Sequence, residues 1–87
     1  MPRYHFHAQE GDLYPDREGV ELTDDEAARV TSLPVLGELI IEQPQLFWHT
    51  RALQLRVTDA RDLTLFVLDL GVVVSPTNGR GKGSRAQ

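Results

Sequence analysis

The chain has 87 residues, 40 % of them hydrophobic and 25 % charged, with a net charge of −4 and no cysteine. This describes one small globular domain near the lower limit for a self-sufficient core, and it excludes disulfide staples and thiolate metal sites. All 13 acidic side chains lie in residues 1–74 against six of the nine basic ones, so that body carries −7 and repels phosphate backbones. Nucleic-acid binding by the folded part is therefore disfavoured.

No apolar run approaches the ~20 residues that span a bilayer. The opening Met1-Pro2-Arg3-Tyr4-His5 lacks the apolar segment of a signal peptide, so a cytoplasmic protein without a membrane partner is expected. From Arg3 to Ala8 the residues alternate, with Tyr4, Phe6 and Ala8 on one face and Arg3, His5 and His7 on the other. That pattern predicts a strand buried on one side. Gln9-Glu10-Gly11-Asp12 predicts a turn, Leu13-Tyr14 a short returning strand ended by Pro15, and Pro15 to Gly19 a second turn. Val20-Glu21-Leu22 is then a short strand or an extended lead into a helix.

Thr23 followed three residues later by Glu26 is a capping box, and Asp24, Asp25 and Glu26 place negative charge where the helix dipole is positive. The helix should run over 23–43 and lay Val30, Leu33, Leu36, Leu39, Ile40 and Ile41 on the core as a broad apolar stripe. Pro34 interrupts it by removing an N–H and crowding the carbonyl of Val30. Because the stripe continues across the break, one kinked helix is expected, closed at Gln43-Pro44.

Beyond a Phe47-Trp48 corner, Leu53, Leu55 and Val57 alternate with Gln54, Arg56 and Thr58, which marks a half-buried strand. Asp59 to Asp62 is a hairpin connection. Leu63 to Leu70 is almost wholly apolar, as in a strand covered on both faces or central in the sheet. Residues 75–87 hold Pro, Gly, Ser and Asn with Arg80, Lys82 and Arg85, a composition expected of a disordered basic tail.

The opening Met-Pro-Arg-Tyr-x-Phe-His, together with Asp16-x-x-Gly19-x-Glu21-Leu22, Ala27-Ala28-Arg29, Gly37-Glu38-Leu39, Pro44-x-x-Phe47-Trp48 and Val57-Thr58-Asp59, resembles a family of short proteobacterial proteins catalogued only as a domain of unknown function. The likeness spans roughly residues 1 to 70. It implies an α+β fold and supplies no activity or catalytic residues. The chain departs from that pattern at Pro34, and at Ala60-Arg61-Asp62, where the hairpin loop lacks its usual Gly. A looser likeness links Pro15-Asp16 to Glu26-Ala27 with small antitoxin domains whose strands precede a Thr-x-Glu-Glu-Ala helix start.

Several residues invite a chemical reading, each beside a plainer one. His5 and His7, two apart on a strand, project from one face about 7 Å apart by strand rise. They would chelate a metal if His49 or Asp16 came near, and are otherwise polar residues on an exposed face. Asp24-Asp25-Glu26 is explained by helix capping, and Asp59 and Asp62 by turn chemistry. Phe47 and Trp48, with Phe66 on the last strand, are partner-binding candidates, or a plug for the open end of the core. No catalytic triad order, phosphate loop or pair of buried carboxylates is present in the pattern, so neither an enzyme nor a cofactor is predicted.

The expectation is thus an α+β domain over 1–74 in the order ββαββ, an antiparallel sheet of about four strands with one kinked helix on one face. Its predicted role is a non-enzymatic protein-interaction or regulatory module. The alternatives are a metal-binding protein or metal-dependent enzyme using His5 and His7, and an antitoxin-like or nucleic-acid-associated regulator. Leu65 and Val67 fall on one face of the last strand and Phe66, Leu68 and Leu70 on the other. One helix covers only one side, so the opposite row predicts a homodimer, or the Phe47-Trp48 corner folded over it, alongside an unknown protein partner.

Overall fold

The computed structural model describes residues 1–75. Five strands and two helices follow in the order β1 (Arg3–Glu10), β2 (Asp12–Tyr14), β3 (Val20–Glu21), α1 (Asp25–Glu42), α2 (Pro44–Thr50), β4 (Ala52–Asp59) and β5 (Thr64–Gly71). The sheet is antiparallel throughout, ordered β2-β1-β4-β5, with β3 pairing the opposite end of β1. The α+β class and the antiparallel sheet are as expected, while the Phe47-Trp48 corner proves to be a second helix. Pro44 at its first position fits, because the missing N–H there has no intrahelical partner to lose. Except for Ser75, the expected basic tail lies outside the described residues. Among the described residues no helix is long and apolar enough to cross a membrane.

Alternation along β1 and β4 builds the core. Tyr4, Phe6 and Ala8 lie beside Leu55 and Val57 on one face and pack with Ala28 of α1. Strand β1 runs two residues past Ala8, so its inward row ends on Glu10 and the turn reduces to Gly11 at φ +79.

Helix α1 is one continuous element through Pro34, but its cap and its buried face differ from expectation. Asp24 is the N-cap, its Oδ1 accepting from the Ala27 N–H at 2.9 Å, so Thr23 stands one residue outside. Asp caps as well as Thr and adds a charge to the dipole. Tyr4 ties the first turn to β1 by donating its hydroxyl to Asp25 Oδ1 at 2.8 Å. That bond to a carboxylate, with burial behind it, pushes the phenol up to about 12. The face turned inward holds Ala28, Ser32, Val35, Leu36 and Leu39, a helical spacing whose small members let the helix lie close to the sheet. Val30, Leu33 and Ile41, expected in the core, are instead 60, 61 and 77 % exposed. With apolar residues on more than one side, composition alone does not select the inner face.

A β-bulge settles the last strand. Val57 pairs with Phe66 but Thr58 pairs with Thr64, leaving Leu65 as the extra residue, and Leu65 packs against the core cluster. Of the alternating row Leu65 and Val67, only Val67 is left on the far face, so no apolar row there needs covering.

Candidate functional site

The polar face of the sheet gathers its chemistry around Asp16. Strand β2 pairs residues 8–10 of β1 and β3 pairs residues 3–4, so the edge of β1 between them has no strand partner. A backbone N–H left there needs an acceptor. The loop between β2 and β3 supplies it, because Asp16 Oδ2 accepts from the Phe6 N–H at 3.1 Å. The other oxygen, Oδ1, accepts from Glu18 N–H at 3.2 Å and Gly19 N–H at 3.0 Å, which folds the loop tightly. Gly19 sits at φ +71, and a Cβ there would fall 2.7 Å from the Tyr4 carbonyl oxygen and 2.9 Å from His5 Cε1. Only glycine fits so close an approach. The Asp16-x-x-Gly19 pattern is therefore one device, a carboxylate and a close turn docking a loop onto β1.

His5 and His7 flank Phe6 on β1 and both grip the backbone of Asp16. Their rings stack with centroids 6.0 Å apart. His5 Nδ1 lies 2.9 Å from the Asp16 carbonyl, which can only accept, so that nitrogen carries a proton. The Asp16 N–H donates to His7 Nδ1 at 3.1 Å, which places the His7 proton on Nε2, where it donates to Thr58 Oγ1 at 3.0 Å. His7 is thereby held neutral. Burial lowers its pKa below 6.5, and the nearby Arg56 and His5 lower it further, against Asp62 and Asp16. Burial on its own would raise the Asp16 carboxyl; the N–H groups of Gly19, Phe6 and Glu18, with His5, more than offset it and hold the group below its usual range.

These side chains border a shallow hollow of about 180 Å³ with Asp59 and Asp62 on its rim. Both nitrogens of His7 are engaged, and the Asp16 carboxylate is taken up by three N–H groups. Among the described residues no three His, Cys, Asp or Glu side chains gather as a metal site. His49, named as a third ligand, borders a different hollow with Gln9, Gln54 and Asp69.

The three aromatic candidates part company. Phe47 is buried, whereas Trp48, edge-on to it at 5.9 Å, is 59 % exposed. Phe66 lies half-buried on β5, on the helix side of the sheet, packed against the core. Sequence reasoning named Asp16 only as a third metal ligand, gave Thr58 no role of its own and placed Glu10 in a turn. The signal for Glu10 was available, since positions 4, 6, 8 and 10 share one face of a strand. No curated protein and no solved structure matches the chain. The family model described as a domain of unknown function, DUF6894, matches residues 3–71, which take in both helices and all five strands. The chain belongs to the DUF6894 family.

Proposed function

We propose that this domain is a non-enzymatic, cytoplasmic interaction module that works as a homodimer, two copies joined edge to edge through β5. The observation that carries this reading is the contrast between the two edges of the sheet. One edge is blunted by β2 and β3, of three and two residues, with Pro15 and the Asp16 loop between them. Short strands, a proline and a docked loop are the usual protections of an edge. The other edge is β5, eight residues long, with Asp69 as its single charge and no proline. Among the described residues β4 is its one partner. Such an edge presents a row of free N–H and C=O groups to an added strand.

The chemistry of β5 favours a second copy. Phe66, Leu68 and Leu70 face the helix side and are half-exposed, so the core ends at this edge without being sealed. Antiparallel pairing about a two-fold axis through Val67 sets Phe66 against the partner's Leu68 and carries the apolar layer across the junction. The same axis holds the two Asp69 carboxylates about 14 Å apart along the strands, beyond the ~10 Å screening length at 0.1 M salt. The inward-turned use of His5, His7 and Asp16, which hold backbone, agrees with a module that does no chemistry.

Light scattering at two protein concentrations and two ionic strengths tests the proposal. A mass about twice the 9.8 kDa of one chain is expected, rising with salt because the acidic bodies repel. Val67→Lys, which puts like charges across the axis, should give a folded monomer. A native chain at 9.8 kDa under every condition, or a Val67→Lys variant of unchanged mass, refutes the proposal.

A further inference from the structure

We propose that the hollow beneath the C-terminal end of α1 binds an organic cation, an alkylammonium or guanidinium group carried on a short apolar body. Glu10 ends the inward row Tyr4, Phe6, Ala8 and is 7 % exposed, and its Oε2 is buried with no hydrogen-bond partner among the described residues. An unpaired carboxylate oxygen in such a place is costly, since it has lost its water and gained no donor. Aliphatic side chains at the same register would simply extend the core. Glu10 instead lines a cavity of about 230 Å³ together with Ala8, Tyr14, Leu39, Glu42, Gln43 and Leu46.

Three features favour positive charge inside it. Glu10 is an acceptor with an oxygen to spare. Glu42, the last residue of α1, brings a second carboxylate. The last turn of that helix has no basic residue, so the negative end of its dipole is uncompensated and Glu42 adds to it. The remaining walls are apolar at Ala8, Leu39, Leu46 and the Tyr14 ring, with the neutral Gln43 amide beside them, and suit hydrocarbon better than a hydrated metal ion. Since a cavity of ~150 Å³ holds benzene, this one has room for a body of about nine non-hydrogen atoms. The hollow is built from β1, β2, α1 and α2 and does not involve the β5 edge, so it stands or falls separately from the dimer.

The same cation can arrive as a free amine or as a Lys or Arg side chain. The full chain is titrated with phenethylammonium chloride, with the end-blocked peptide Gly-Arg-Gly-Lys-Gly, which repeats residues 79–83, and with 2-phenylethanol as the neutral isostere. The methyl NMR signals of Leu39 and Leu46 report binding. At least one cation should shift them saturably at millimolar concentration, with the alcohol weaker by about tenfold or more, the worth of one charge-assisted hydrogen bond. Binding of the amine alone identifies a free small molecule, and binding of the peptide alone a protein side chain. Glu10→Gln, which keeps size and one acceptor, should weaken binding by about tenfold or more. If that variant does not fold, Glu42→Gln and the alcohol comparison on the native chain decide. No saturable shift with either cation, equal binding of the alcohol, or unchanged binding in the variants overturns the proposal.

Discussion

Replacing Asp16 by Ala removes three acceptor contacts at one stroke while leaving the backbone of residue 16 free to hold both histidines. The Phe6 N–H, part-buried at the strand edge, loses its partner, and the N–H groups of Glu18 and Gly19 lose theirs in a more exposed loop. A hydrogen bond to a charged group is worth ~1.5–3 kcal/mol where burial leaves the donor unsatisfied, and nearer ~0.5 kcal/mol where water can replace it. One contact of the first kind and two of the second sum to roughly 2.5–4 kcal/mol, a large share of the ~5–15 kcal/mol that holds a domain together. For a chain of this size each kcal/mol moves the midpoint by ~4–8 °C, so thermal unfolding followed by circular dichroism at pH 7 should show a Tm lower by about 10 °C or more. Asp16→Asn, which retains a neutral acceptor, should fall between the variant and the native chain. A loss below about 0.5 kcal/mol for Asp16→Ala, within the ordinary range for a surface change, would mean that the loop is not docked through this carboxylate.

Acid should weaken the fold in two separable stages. His7 has a folded pKa below its ordinary 6.5, so as pH falls through 6.5 the unfolded chain takes the proton first and stability drops. Asp16 has a folded pKa below 3.8, so its contribution persists above that value and is lost as pH falls further. Urea unfolding across pH 3–8 should show both stages in the native chain. His7→Gln should remove the upper one, and Asp16→Ala should shrink the lower, which Asp59 shares because the Leu63 and Arg61 N–H groups hold its carboxyl below the usual range; unchanged profiles would contradict the assignments. At the β4–β5 hairpin, Asp62 holds φ +66, where glycine is easier, while the turn is closed by Asp59 Oδ1 accepting from Arg61 and Leu63 N–H groups. Asp62→Gly should therefore stabilise by up to about 1 kcal/mol by relieving a left-handed residue, and a clear loss of Tm would show that its side chain matters more than its backbone.

Much of the fold was legible because period-two alternation is hard to counterfeit. Tyr4-Phe6-Ala8 and Leu53-Leu55-Val57 both proved to be inward rows. Helix α1 was legible as a helix but not as to its inner face, because Val30, Leu33 and Ile41 are as apolar as Leu36 and Leu39 and only the burial of the small residues Ala28 and Ser32 decides between them. The bulge at Leu65 was hidden for a different reason. A one-residue slip leaves no mark on a run such as Leu-Thr-Leu-Phe-Val-Leu, where every position is apolar or tolerant, and yet it turns a side chain to the other face.

The site was less legible than the fold. The spacing of His5 and His7 predicted their shared face, and the stacked rings bear that out. What they grip was beyond reach, because Asp16 lies nine residues from His7 and Thr58 fifty-one, and both come near only once β1 is paired. The free edge of β5 is likewise a property of strand order, which periodicity does not encode.

The most direct test of the dimer uses a single cysteine in a chain that has none. A two-fold axis through Val67 brings the two copies of that residue to a Cα separation of ~4.5–5.5 Å, within disulfide reach. Val67→Cys is oxidised with dilute glutathione and followed by non-reducing electrophoresis, beside Ala60→Cys on the exposed hairpin loop. Edge pairing through β5 predicts that Val67→Cys cross-links to a covalent dimer far faster than Ala60→Cys. Equal and slow cross-linking of the two variants would contradict it.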